Sequence, residues 1–170
     1  RESSIDSSLS NFQHQRRLLE LFKGLWIKNA VLAEDQLRQR VAFALSEIFV
    51  ISMLDPDLSS RAHLISDYYD LLVSSAFGNY RDLMEDVTLH PAMGLFLDHL
   101  SNEKPDTSKN IRPDENYARE LLQLFTIGLV DLNIDGTVQR DSEGVPLQSV
   151  DQSIIEGFAH VFTGWHFDKS

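Results

Sequence analysis

Apolar residues recur at helical spacing along nearly the whole chain. Leu18, Phe22, Leu25 and Trp26 follow the i, i+4, i+7, i+8 pattern of an amphipathic helix over about residues 11–28. The same periodicity predicts six further helices, over about 35–52, 60–77, 80–89, 91–100, 114–128 and 151–163. The sequence therefore predicts an all-α fold, an irregular bundle of about six or seven helices.

The second predicted helix has the most continuous apolar character. Its middle, residues 41–51, is apolar almost all round, which is typical of a helix at the centre of a bundle. We therefore expect it to be the most buried element. On that expectation, Leu45→Ala costs about 2–5 kcal/mol of stability, as truncation of a buried leucine does.

Helix ends are marked by residues that break or cap helices. Asp55-Pro56-Asp57 ends the second helix, and Pro91 suits the first position of a new one. Residues 101–113 are polar, contain two prolines and predict an exposed loop. Asp114 follows, where its carboxylate can accept hydrogen bonds from the free N–H groups of the next helix.

The helical period disappears between residues 131 and 151. Asp135-Gly136 and Glu143-Gly144 are turn signals on either side of residues 137–140. The pattern predicts a small β-hairpin between the last two helices.

Length and composition indicate one globular domain. The chain has 170 residues, of which 42% are hydrophobic and 24% charged, enough apolar material for a core. We therefore expect residues 1–170 to form a single helical domain. Because the chain starts at Arg1 rather than Met, we expect it to be a fragment of a longer protein. No apolar run approaches the ~18 residues that a membrane span needs, so none is expected.

The charge balance is strongly acidic. The chain has 15 Lys+Arg against 26 Asp+Glu, a net charge of -11. This balance opposes binding to nucleic acid, whose affinity for proteins is built largely on Lys and Arg. The absence of cysteine excludes disulfides, a thiolate zinc site and a cysteine nucleophile.

The segment after the sixth helix carries part of a calcium-loop pattern. Oxygen-bearing side chains occupy its positions 1, 3 and 5, with Gly136 at position 6. Position 12 is Ser142 instead of the usual closing acid. The candidate calcium ligands are Asp131, Asn133, Asp135, Thr137, Asp141 and Glu143. The alternative is a plain turn at Asp135-Gly136 with no metal.

The last two helices hold candidate ligand-binding side chains. Asn116, Arg119 and Glu120 share one face of the sixth helix, where the arginine could bind an anion. His160 and Trp165 could line the same pocket. The alternatives are an ordinary Glu115–Arg119 ion pair, a structural histidine, and a helix end at which Gly164 lets Trp165 fold back onto the core.

Several ordered motifs resemble one bacterial family. They are residues 35–52 (DQLRQRVAFALSEIFVIS), 79–83 (NYRDL), 90–93 (HPAM), 115–128 (ENYARELLQLFTIG) and 162–165 (FTGW). Together they are similar to the family of domain of unknown function 1800. The resemblance implies a longer, mostly helical, often exported (for example periplasmic) protein, often encoded beside a sulfatase-like partner, with no assigned reaction. Shorter members carry a Trp-His-Asn-His-like segment, whereas this chain has Leu25-Trp-Ile-Lys-Asn29.

Two classes of function follow. The first is a non-catalytic interaction or assembly module whose partners are the rest of the full-length chain and a sulfatase-like protein. The second is part of an enzyme acting on an extracellular, sulfated polymer, with Asn116, Arg119, Glu120, His160 and Trp165 in its cleft. The lack of a recognisable catalytic constellation favours the first.

Overall fold

The computed structural model describes residues 10–167, and these are mostly helical. The eight helices are α1 (Asn11–Leu32), α2 (Gln36–Ile48), α3 (Pro56–Ser59), α4 (Ala62–Ser74), α5 (Tyr80–Leu89), α6 (Pro91–Phe96), α7 (Asn116–Gln123) and α8 (Gln152–Val161). None of the helices described is both long and apolar enough to cross a membrane.

The chain divides into two compact units between Phe96 and Leu97. The first contains α1–α6 and the second α7 and α8. Whether residues 1–170 behave as one domain stays a prediction.

Helix α4 is the centre of the first unit, where it packs against α1, α2, α3, α5 and α6. Its buried side chains recur at helical spacing on one broad face: Ala62, Leu64, Ile65, Tyr68 and Leu72. Phe49, at the end of α2, and Leu58 of α3 complete this core. The hydroxyl of Tyr68 donates to the backbone carbonyl of Phe49 at 2.9 Å, so the one buried polar atom of that ring is bonded.

The prediction that the second helix is the most buried element is wrong. Within α2 only Ala42 is buried, and Phe43 and Ile48 are exposed. Residues 41–51 are apolar almost all round, but only a narrow face of α2 packs against α4. The helix also ends at Ile48 rather than Ser52, because Phe49 leaves helical geometry (ψ 68°) where it is buried and bonded to Tyr68.

A short helix that the apolar pattern did not predict follows the break at residues 55–57. Pro56 is the first residue of α3, and the carboxylate of Asp55 accepts from the N–H groups of Asp57 and Leu58, each at 3.0 Å. Proline is favourable at this position because its missing N–H has no helical partner there. The helix brings Leu58 into the core.

The second unit has a core of aromatic rings in tilted and edge-to-face contact. Tyr117 of α7 lies 4.1 Å from the ring of His99 and 4.9 Å from that of Phe162, measured between ring centroids. Helix α8 packs against α7, which carries Tyr117, and the buried residues of α8 are Ile155 and Ala159. The two helices are therefore held by one aromatic contact region.

The polar loop at residues 101–113 is mostly exposed, as predicted, and is closed by one buried side chain. The Asn102 amide donates to the carbonyl of Asp114 (3.1 Å) and accepts from its N–H (2.8 Å). The Asp114 carboxylate in turn accepts from the N–H of Asn116 at 2.8 Å, which confirms its predicted place at the start of α7.

The predicted β-hairpin is wrong. Over residues 129–149 the backbone makes three isolated bridges, Val130–Gln148, Leu132–Val138 and Arg140–Pro146, and the described part of the chain has no sheet. The turns do form, since Gly136 and Gly144 have φ of +83° and +82°. Strand pairing does not extend further, because the N–H groups of Thr137 and Val145 donate to the carboxylates of Asp135 and Asp141. Pro146 also has no N–H group to donate to a neighbouring strand.

Candidate functional site

A polar cleft in the second unit lies between α8 and the segment that leads into α7, residues 105–115. Its volume is about 210 Å³, and its lining residues are Pro105, Arg112, Pro113, Glu115, Glu156, Ala159 and His160. The buried faces of the two helices meet through residues such as Ala118 and Ala159. The charged residues beside those faces are therefore left at the mouth of the cleft, in contact with solvent.

A hydrogen-bond network crosses the cleft from one helix to the other. Nη2 of Arg119 donates to Oε2 of Glu115 at 2.8 Å and to Oε1 of Gln152 at 3.1 Å. Nε2 of Gln152 donates to Oε2 of Glu115 at 2.8 Å and to Oε1 of Glu156 at 3.3 Å. One amide nitrogen thus holds two carboxylates near each other, an arrangement that could bind a cation or serve in proton transfer.

The network explains what Arg119 does. Its side chain forms the i, i+4 ion pair with Glu115, and that pair is about one-third exposed on both sides. An exposed pair of this kind contributes little by itself. The added bond to Gln152 makes it a link between α7 and α8.

The structure brings only part of the predicted ligand-binding set together. His160 lines the cleft, and Arg119 contacts it through Glu115. The side chain of Asn116 donates instead to Asp98 at 2.9 Å. Glu120 and Trp165 are not among the residues that line this cleft.

The backbone turns back at Gly164 as expected, but the side chain of Trp165 is exposed rather than folded onto the core. Gly164 has a φ of +85°, and its N–H donates to the carbonyl of Asn102 at 2.8 Å. The carbonyl of Trp165 accepts from the N–H of Ser101 at 2.7 Å. Glycine fits this backbone conformation because a side chain would be strained there.

The sequence reasoning predicted His160 but missed Glu156 and Arg112, which line the cleft, and Gln152, which bonds to Glu115 in its wall. Gln152, Glu156 and His160 are spaced i, i+4, i+8 and form one stripe along α8. That spacing was visible in the sequence, but it does not indicate which residues of α7 face the stripe. Arg112 carried no signal, because it precedes the helix in a loop.

The candidate calcium loop is folded as two side-chain-stabilised turns. Oδ1 of Asp135 accepts from the N–H of Thr137 (3.0 Å) and from its hydroxyl (2.7 Å), and these bonds lower the pKa of Asp135. Oδ1 of Asp141 accepts from the N–H groups of Glu143 and Val145, each at 2.9 Å. Within residues 10–167 no three histidine or acidic side chains are grouped to hold a metal ion. The calcium site, with Asp131 and Asn133 as further ligands, stays a prediction.

His90 joins two helices of the first unit. Its Nδ1 accepts from the N–H of Ala92 at 3.1 Å, so the neutral ring carries its proton on Nε2, which lies 3.5 Å from Oδ2 of Asp67. Burial lowers the pKa of His90, and the nearby Asp67 carboxylate opposes that shift without cancelling it. The contacts are those of a residue at the junction of α5 and α6.

An apolar pocket of about 420 Å³ lies in the first unit among α1, α2 and α4. Phe22, Trp26, Phe43 and Tyr69 contribute rings to its lining. Its one ionisable side chain other than tyrosine is Lys23, which is paired with Glu20 at 2.9 Å. The rest of the lining is mostly apolar or aromatic.

Comparison with known proteins gives one match. No curated protein and no solved structure matches the chain. The family model described as "Protein of unknown function (DUF1800)" matches residues 3–170, nearly the whole chain. With its ordered motifs and mostly helical fold, the chain belongs to the DUF1800 family.

Proposed function

We propose that the chain is a non-catalytic interaction or assembly module of a larger exported bacterial protein, and that α1 carries its interaction surface. One observation carries this proposal: none of the 22 residues of α1 is buried. Six of its large apolar side chains are between 55% and 76% exposed: Phe12, Leu21, Leu25, Ile27, Val31 and Leu32. Leu21, Leu25 and Leu32 lie on one stripe of the helix, and neighbouring exposed apolar side chains mark surfaces that another molecule covers.

The inner side of α1 supports the view that this helix is firmly held. The rings of Phe22 and Trp26 contact Tyr69, with centroids 6.2 Å and 6.3 Å apart. The Gln15 amide oxygen accepts from the N–H of Ala62 at 2.9 Å. The exposed residues of α1 thus belong to a helix that tertiary contacts already fix.

Export and a sulfatase-like partner enter the proposal through the family resemblance. An exported protein with no recognisable catalytic constellation is well suited to hold a partner enzyme or to build an assembly.

Site-specific photo-crosslinking in the full-length protein tests this proposal. A photoreactive amino acid at position 21, 25 or 32 of α1 is expected to give crosslinks to another polypeptide. The same amino acid at position 124, whose leucine is 60% exposed in the second unit, is the matched control and is expected to give none. Crosslinks from α1 only to other parts of the same chain, or none at all, would contradict an intermolecular role.

A second candidate function is supported by the polar cleft between α8 and residues 105–115. Glu115 and Glu156 both lie within 3.3 Å of Nε2 of Gln152, with His160 beside them. Two carboxylates close together are the usual acid–base pair of glycoside hydrolysis. If the protein is an enzyme on a sulfated polymer, Glu115→Gln and Glu156→Gln abolish turnover of sulfated polysaccharides, whereas Leu25→Lys leaves it unchanged.

A further inference from the structure

A groove of about 580 Å³ runs between α1 and α4 in the first unit, and its two walls differ in chemistry. The α1 wall is apolar and includes Leu18, Leu21 and Leu25. The α4 wall carries a row of polar side chains: His63, Ser66, Asp67 and Asp70 follow i, i+3, i+4, i+7 on one face. An occupant that fits both walls has an apolar side and a basic side.

Helix α1 itself has that chemistry. It contains four basic residues and one acidic residue in a chain with a net charge of -11. Lys23 is paired with Glu20 at 2.9 Å. Arg17 and Lys28 have no ion-pair partner within residues 10–167, nor does Asp70 on the opposite wall of the groove.

The helical spacing of α1 puts its free basic residues beside its exposed leucines. Leu21, Leu25 and Leu32 lie on one stripe, because 4 and 11 residues are close to whole turns. Arg17 and Lys28 lie on the flank of that stripe that faces away from the side bearing Phe22 and Trp26. The stripe is therefore bordered by α4 on one side and by positive charge on the other.

We infer that this groove binds α1 of a second copy of the chain, in a two-fold dimer. The leucine stripes pack together, and Arg17 and Lys28 of each copy face Asp67 and Asp70 of the other. In a two-fold pair the same patch serves both copies, so one patch must carry both the apolar stripe and the two complementary charges. This inference rests on the proposed interaction role of α1 and names its partner.

The charge of the groove distinguishes a second copy from a membrane. A basic amphipathic helix can also lie on anionic lipid. Here, however, the carboxylates of Asp67 and Asp70 form the wall beside the leucines. The Asp67 side chain is 76% exposed. Anionic headgroups would be repelled at that wall, whereas the basic flank of another α1 is attracted to it.

Sedimentation equilibrium of the 170-residue chain tests the dimer. We expect a dimer at tens of micromolar protein that dissociates as salt is raised, because its charged contacts are exposed. Leu25→Glu is expected to give a monomer. Asp70→Lys and Lys28→Asp are each expected to weaken the dimer by about tenfold or more, since each places like charges opposite one another.

The double variant Lys28→Asp/Asp70→Lys is the decisive arm. It exchanges the two charges and is expected to restore dimerisation. Asp86→Lys is the matched control, because it makes the same charge change on an exposed position of α5 outside the groove, and it is expected to leave the dimer intact. Far-UV circular dichroism and melting temperature verify that each variant is folded.

Three outcomes would overturn the inference. They are a monomer at 200 µM wild-type protein, a dimer that Leu25→Glu and Asp70→Lys leave unchanged, and binding of monomers to phosphatidylglycerol vesicles through α1. A monomeric chain that still crosslinks from α1 to another protein would overturn the second-copy partner alone. Absence of both self-association and crosslinks would overturn the proposed function as well.

Discussion

Two polar side chains in or near the core have structural partners that a sequence motif does not indicate. Asn102 bonds both the N–H and the carbonyl of Asp114, and its own carbonyl accepts from Gly164. His90 receives the N–H of Ala92 and approaches Asp67. Because a buried polar group without a partner is costly, these contacts stabilise the turns where they lie.

The His90 contacts predict a pH dependence of stability. Its pKa is lowered from the model-peptide value of 6.5 in the folded protein, chiefly by burial. The unfolded chain therefore takes up a proton more readily, and the stability contributed by neutral His90 is present above pH 6.5 and lost as the pH falls below it. We therefore expect the urea concentration at the unfolding midpoint to decrease when the pH is lowered from 7.5 to 5.5.

The control is a variant series at the same two pH values. His90→Gln is expected to be less stable at pH 7.5 and to lose less on acidification, because glutamine does not titrate. His160→Gln, on the exposed face of α8, is expected to keep the wild-type slope. An equal slope in the wild type and in His90→Gln would show that His90 does not cause the pH dependence.

At the scale of elements, burial is set by the neighbours of a helix rather than by its composition alone. Helix α4 has five buried residues and contacts five other helices. Helix α2 has a more uniformly apolar middle but only one buried residue, Ala42. Leu72 is fully buried in α4, and Leu45 of α2 is half-buried. The same substitution is therefore expected to have different costs in the two helices.

We expect Leu72→Ala to cost about 2–5 kcal/mol of unfolding free energy, because it leaves a cavity that the core cannot fill. Leu45→Ala is expected to cost clearly less, since solvent already reaches that side chain. Chemical denaturation of the two variants and the wild type under one condition measures both values. An equal or larger loss at Leu45 would show that α2 is covered in solution.

The turns at residues 131–145 give a second prediction at this scale. Calcium binding by Asp131, Asn133 and Asp135 has to compete with the bonds that Thr137 makes to Asp135. We expect binding of the order of 10⁻⁴–10⁻³ M, as in weak extracellular modules. Melting temperature should then rise over several millimolar calcium. Asp131→Ala should remove that rise, and an unchanged wild-type melt would leave the turn without a metal role.

At the scale of the whole molecule, charge and apolar surface are unevenly distributed. The chain is acidic overall, yet α1 combines four basic side chains with exposed leucines. This contrast is the basis of both proposals on the first unit. The charged cleft of the second unit has Glu115 in its wall, where Arg119 and Gln152 both donate to that carboxylate.

The positions of most helices could be predicted from the sequence, because the apolar residues of a buried helix face recur with a period of 3.6 residues. The predicted bounds of α5, residues 80–89, agree with the structure, and Asp151 caps α8 through the N–H of Ile154 at 3.0 Å. Helix α3 was missed because four residues are too few to show a period. The turns at Gly136 and Gly144 were predicted, but the strand pairing around them is limited to isolated bridges.

What only the tertiary structure decided is which residues distant in sequence meet. The spacing of Glu115 and Arg119 predicts their ion pair, but Gln152 reaches Glu115 from 37 positions away only because α7 and α8 pack. The second helix ends early because Phe49 is buried and accepts from Tyr68. Local periodicity fixes the face that a helix can bury, whereas burial, clefts and exposed stripes depend on which partners pack against that face.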